Sequence, residues 1–134
     1  MDQRRLKELE KAAKQAMKMA YSPYSNIKVG AAVLCSDGKI YSGCNIENSS
    51  YSLTICAERV AASKAVSSGS KKIRSIVITS NLDGFIYPCG ACRQFLSEFG
   101  NNIDVVLLSS TGRIKKYKLS ELLPYVFRLE PKPS

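Results

Sequence analysis

The chain has 134 residues, one domain's worth and enough to bury a single core. Its 45% hydrophobic and 23% charged residues exclude a disordered or fibrous chain, and apolar runs such as Val29 to Cys35 are too short to span a bilayer. There is no histidine, which removes Ser-His-Asp and Cys-His catalysis and every zinc site that needs an imidazole, while the net charge of +9 suits nucleic acid, an anionic membrane face or a solvated basic surface.

From Arg4 to Ala20 the apolar residues Leu6, Leu9, Ala13, Ala16 and Ala20 keep a helical period, with Lys7, Lys11, Lys14 and Lys18 on the opposite face. That helix should end near Tyr21-Ser22-Pro23, because the residue before proline is pushed out of the helical region. Val29 to Cys35 reads as a buried strand, Ser36 to Lys39 as a turn using Gly38, and Ile40 to Ile46 as the returning strand of a hairpin. Glu47 to Thr54 is polar and irregular. Cys56 to Ser67 has helical spacing and ends at Ser67-Ser68-Gly69. Ile73 to Ile78 is a β-branched strand, followed by a loop from Asn81 to Pro88 and a helix from Cys89 to Phe99, closed by Gly100. Ile103 to Leu108 and Ile114 to Leu119 are further strands around a Thr111-Gly112 turn, with a short helix near Glu121 and a partly loose tail from Arg128 to Ser134. The order implies an α/β fold in residues 1–134: one domain with a single mixed sheet of about five strands and helices on both faces. The charged opening has no apolar run behind it, so no signal peptide is expected, and the setting is read as cytoplasmic.

Five cysteines without a secretory signal argue against a disulfide scaffold. Cys89 and Cys92 lie at i and i+3 at a helix start, so both sulfurs face one side, where the helix N-terminus favours thiolate. A lone Cys-x-x-Cys is a redox dithiol, half a structural zinc site, or chance. Cys56-Ala57-Glu58 also begins a helix, and three thiolates at two helix starts fill three corners of a zinc tetrahedron. A closed site then needs Cys35 or Cys44 as fourth ligand, and both sit in strands where packing is the commoner fate. An open fourth corner takes water, and Glu58 stands where it can handle that water's proton.

These residues resemble a known family. Cys56-Ala57-Glu58-Arg59 followed by Pro88-Cys89-Gly90-Ala91-Cys92-Arg93-Gln94 is similar to the (His or Cys)-x-Glu and Pro-Cys-x-x-Cys motifs of the zinc deaminases. Cysteine as first ligand looks like the free-nucleoside cytidine deaminases. Tyr21 to Ser25, Val29 to Ala32, Gly43 to Asn48 and Glu121 to Pro124 resemble the small, homotetrameric members over nearly the whole chain. The resemblance implies hydrolysis of cytidine and deoxycytidine to their uridine counterparts, in pyrimidine salvage. Cys56, Cys89 and Cys92 would hold Zn2+, and Glu58 would shuttle protons. It further implies that Asn45 and Glu47 hold the ribose hydroxyls and that the backbone at Ala57 and near Cys89 orients the amino group. Tyr51 matches a residue near the subunit contacts, and Phe127 an aromatic that reaches a neighbouring subunit's pocket. Arg59 matches the motif's arginine and would draw charge off the sulfurs by hydrogen bonds to thiolate.

One position departs from the family. Where a phenylalanine usually stacks on the pyrimidine, this chain has Ile27, so the base contact is altered. The partner expected is a free nucleoside, with no nucleic acid and no membrane. Other classes weighed were a basic nucleic-acid module with structural zinc, a deaminase of polynucleotides or of a nucleoside antibiotic, and a Cys-x-x-Cys redox protein. The first needs a fourth cysteine and clustered aromatic readers. The last leaves Cys56 and Glu58 without a role.

Overall fold

The computed structural model describes residues 1–133, so Ser134 of the expected partly loose tail lies outside the described residues. The elements are α1 (Gln3–Met17), β1 (Val29–Cys35), β2 (Ile40–Cys44), a 3-10 turn (Tyr51–Leu53), α2 (Ala57–Ser67), β3 (Ile73–Ser80), α3 (Gly90–Ser97), β4 (Asp104–Leu108), β5 (Ile114–Lys118) and α4 (Leu119–Leu122). One five-stranded sheet runs in the order β2-β1-β3-β4-β5. Only the β3–β4 pair is parallel, joined through α3; the other pairs are antiparallel. The expected mixed sheet between helices is what the chain forms.

The reason lies in β1, all seven of whose residues are buried. Alternate side chains point to opposite faces of a strand. Val29, Ala31, Val33 and Cys35 join Ala57, Ala61 and Ala65 of α2 in one core, while Ala32 and Leu34 meet Leu6, Leu9 and Ala13 of α1 in a second. At Gly30 a Cβ would overlap the carbonyl of Ala13, so glycine lets α1 lie close on the sheet. Lys7, Lys11, Lys14 and Lys18 are exposed, as their spacing requires.

Among the boundaries that differ from the expectation, three have a visible physical reason. α1 ends at Met17 because the amides of Met19 and Ala20 reach back only three residues, to Ala16 and Met17, and Tyr21 leaves to bond the carbonyl of Asn45 at 3.0 Å. β2 stops at Cys44, and Ile46 continues as isolated bridges to Tyr21 and Ile55. Gly100 does not close α3 by a left-handed turn; a side chain there would collide with Ile103 and with the carbonyl of Ile73. The tail is held at its start. Gln94 Nε2 donates to the Phe127 carbonyl at 2.9 Å and Arg128 Nη2 to the Ser97 carbonyl at 2.6 Å, tying the tail to α3. No helix among the described residues is long and apolar enough to cross a membrane.

Candidate active site

Cys56 and Cys89 are the residues immediately before α2 and α3, both in extended conformation. Each Sγ therefore sits where the first backbone N–H groups of a helix are unpaired and the potential is positive. Cys92, one turn into α3, is fully buried. The Sγ atoms of Cys56, Cys89 and Cys92 all lie within 4.8 Å of one another, with Cys56 and Cys89 4.0 Å apart and Cys89 and Cys92 3.5 Å apart. Tetrahedral zinc with Zn–S bonds of about 2.3 Å puts its sulfurs about 3.8 Å apart, so the spacing fits the ion. Among the described residues no further His, Cys, Asp or Glu completes the cluster. Cys35 packs in the core instead, and Cys44 lies on β2 outside the cluster. The closed structural site weighed from the sequence therefore lacks its fourth ligand, and the donor set is that of an open, catalytic site.

The electrostatics suit a metal. The Cys56 thiol is lowered to about 5 by a hydrogen bond from Cys92 and by Arg59, whose Nη2 lies 3.6 Å from its sulfur. Cys92 is pushed far up by the neighbouring Cys56 thiolate and by burial. Arg59 Nε is a buried donor with no partner among the described residues, so the guanidinium has hydrogen-bonding capacity left toward the sulfur side.

Glu58, in the first turn of α2, is only 3% exposed. Burial raises its carboxyl to about 7, and the Cys56 thiolate adds to that. A carboxyl of that kind both gives and takes a proton near neutrality. Ala57 is fully buried as the first residue of α2, so its N–H belongs to the unpaired set at the helix start.

A second group lies on the segment between β2 and α2 and on the loop before β1. Asn45 is 8% exposed; its Oδ1 accepts from Val29 N–H at 2.9 Å and its Nδ2 donates to the Ile27 carbonyl at 2.8 Å. Glu47 accepts from the amides of Tyr24 at 2.9 Å and Ser25 at 3.3 Å, and from the Ser25 hydroxyl. These bonds hold the loop 24–27, in which Ile27 is 36% exposed rather than part of the core beside Val29. Tyr51 is 73% exposed and meets Tyr24 edge-on at 6.2 Å. Phe127 is 66% exposed, so its side chain does not pack on the chain's own core. The sequence reading missed Ser25, whose Oγ also accepts from Ile27 N–H at 3.0 Å and so links Glu47 to Ile27. It also missed Arg93, which fastens α3 to the carbonyls of Pro88 at 2.7 Å and Leu122 at 2.6 Å. Both had a signal: Arg93 stands directly after Cys92, and Ser25 ends the Tyr21 to Ser25 segment that matches the family.

Comparison with known proteins agrees with this geometry. Residues 3–109 match the cytidine and deoxycytidylate deaminase zinc-binding region. The chain is 49% identical over 131 residues to a probable cytidine deaminase of Dictyostelium discoideum, covering 97% of this chain and 88% of that one. It is 47% identical over 119 residues to a cytidine deaminase of Sporosarcina psychrophila, covering 88% of each. In structure it resembles the cytidine deaminase from Burkholderia pseudomallei, with TM-score 0.87, 42% identity, and coverage of 95% of this chain and 100% of the other.

Proposed function

This chain belongs to the family of zinc-binding cytidine and deoxycytidylate deaminases, and from that premise we propose how its own residues carry the reaction. It is an enzyme that deaminates cytidine and deoxycytidine to uridine and deoxyuridine with the help of zinc. The observation that carries the reading is the convergence of three sulfurs from two helix starts beside one buried carboxyl.

Cys56, Cys89 and Cys92 hold the zinc. Bound there, zinc would supply Lewis acidity that brings the pKa of water down toward neutrality. Glu58 takes a proton from the attacking water and hands it to N3 of the ring, which makes C4 electrophilic. The water's oxygen bonds to C4. Glu58 then carries the second proton to the exocyclic amino group, the C4–N bond breaks, and ammonia leaves. One carboxylate serves as base and then as acid, so a value near neutrality suits both duties. The backbone at Ala57 and near Cys89, at the two helix starts, orients the amino group. Arg59 draws charge from the Cys56 sulfur, keeping the three-thiolate site from becoming too electron-rich.

Asn45 and Glu47 bind the ribose hydroxyls, and Ile27 gives the base an apolar contact without stacking. The exposed side chains of Tyr51, Leu53, Phe127 and Leu129 support a homotetramer, in which Tyr51 lies near the contacts and Phe127 completes a neighbour's pocket. Five free cysteines support a reducing, cytoplasmic setting. The test is to measure zinc content together with the fall in cytidine absorbance on incubation. Near one zinc per chain and uridine as product are expected; a metal-free chain that converts cytidine at the same rate overturns the mechanism.

A further inference from the structure

A wide groove lies away from the sulfur cluster. Its volume is about 1160 Å³, and it is lined by the end of β1, the starts of β3 and β4, and the C-terminal end of α3. Helix α3 spans the distance, with Cys89 at its start and Glu98 at its end. Seven of the lining side chains are Lys or Arg and three are Asp or Glu, an excess of four positive charges.

Three of those cations are engaged within the chain. Arg5 pairs with Glu8 at 3.1 Å, Lys118 with Asp104 at 2.5 Å, and Arg128 donates to the Ser97 carbonyl at 2.6 Å. The side chains of Arg4, Lys71, Lys72 and Arg74 have no hydrogen-bonded or ionic partner among the described residues, and all four residues are exposed. They come from separate places: α1, the turn before β3, and β3 itself. Arg74 stands between Ile73 and Ser75, each only 2% exposed, so its backbone is fixed. Of the lining carboxylates Asp104 is paired with Lys118 and Asp2 caps α1, so among the described residues Glu98 is left to offset four cations, and an anion that touches several of them relieves their remaining repulsion.

The form of the anion follows from what else lines the groove. A single phosphate is far smaller than this space, which exceeds the usual span of small-ligand pockets, about 300–1,000 Å³. Several linked phosphates answer its excess positive charge better than one does. Binders of single-stranded nucleic acid interleave cations with exposed aromatic faces for the bases. Here the sole lining aromatic is the half-buried Phe99, while Tyr21, Tyr24 and Tyr51 are exposed elsewhere. The groove therefore offers contacts for phosphates and none for stacked bases.

We propose that this groove is a binding site for a small oligophosphate anion, free or as the phosphate chain of a nucleotide, held by Arg4, Lys71, Lys72 and Arg74. The site is separate from the deaminase centre and does not depend on that reading.

The test uses the zinc-loaded, full-length protein at physiological ionic strength, titrated with inorganic tripolyphosphate and, separately, with a nucleoside triphosphate. Binding at about 1 mM or tighter is expected by calorimetry, weakening as salt rises. In amide NMR of the unaltered protein, the shifts should fall on residues 71–75 and 100–104. The double variant Lys71→Glu/Arg74→Glu should bind at least about tenfold more weakly, while deaminating cytidine at the unaltered rate. Equal affinity for both probes assigns recognition to the phosphate chain alone; tighter nucleotide binding assigns it to a nucleotide. Three results overturn the proposal: no binding of either probe, shifts confined to other surfaces, or tighter binding of a short single-stranded RNA than of tripolyphosphate on these residues. The NMR result needs no variant, so a misfolded double variant does not spare the proposal.

Discussion

Replacing Glu58 by Gln removes the proton carrier while keeping the side chain's size. Loss of general acid–base catalysis lowers a rate by about 10² to 10⁴, or about 2.7 to 5.4 kcal/mol in the barrier. The structure selects the upper half of that range. Glu58 is 3% exposed, so bulk water has little access to take over its task, and the chain contains no histidine to stand in. A fall in kcat of about 10³ to 10⁴ is expected for Glu58→Gln. The fold should not suffer. Burial penalises the charged carboxylate, which is what raises Glu58 to about 7, and glutamine carries no charge to desolvate. The melting temperature is therefore expected to stay level or rise. Zinc should remain near one per chain, because the sulfurs alone hold it. The assay is kcat from cytidine absorbance, beside zinc content and thermal melting on the same preparation. A zinc-loaded Glu58→Gln protein within tenfold of the unaltered kcat refutes the proton-carrier role.

The other expectations concern the metal, the assembly and the base. Cys89→Ala removes one of three ligands and should abolish zinc retention after dialysis, with activity falling alongside; full zinc content in that variant would place the metal elsewhere. Arg59→Gln loses the contact to Cys56 and should surrender zinc to a chelator several-fold faster, so unchanged release together with an unchanged pH–rate profile removes Arg59 from the mechanism. Truncation before Tyr125 removes Phe127 and should raise KM more than it lowers zinc content, with the full chain sedimenting as a tetramer; a fully active monomer would end that reading. Ile27→Phe adds a stacking face worth about 1 kcal/mol, the low end for base–aromatic contacts, since isoleucine already excludes water. KM for cytidine should fall several-fold with kcat little changed, and a destabilised protein with the same KM would mean that Ile27 serves packing.

The elements with strong period were legible because local pattern and tertiary burial ask for the same residues. β1 runs over the residues its apolar pattern marks, since both of its faces are covered, and α1 buries Leu6, Leu9 and Ala13 as their spacing demands. Cys56 and Cys89 were legible as helix starts to within one residue. What local pattern does not carry is long-range pairing. β2 stops short of Ile46 because Asn45 uses its side chain on Val29 and Ile27, while Ile46 pairs with both Tyr21 and Ile55. The basic groove was equally hidden. Its free cations come from α1, the turn before β3, and β3, and in the sequence they are only part of a net charge.

Asn45 and Glu47 show how far residue type alone misleads about a binding site. An asparagine amide offers two donors and two acceptors, and here one of each already holds the chain, at Ile27 and Val29. A carboxylate offers about four lone-pair sites, and three donors from Tyr24 and Ser25 already occupy Glu47. What remains for a sugar hydroxyl is about one donor and one acceptor on Asn45 and one acceptor on Glu47. Those remaining groups are fixed in place before any ligand arrives, so little conformational freedom is lost on binding. The same bonds hold Ile27, through its carbonyl to Asn45 and through Ser25 Oγ to its amide. The proposed ribose contact and the proposed base contact therefore rest on one hydrogen-bonded unit, and a change to Asn45, Ser25 or Glu47 is expected to move both. In the sequence they read as separate sites, because the atoms that join them are mostly backbone.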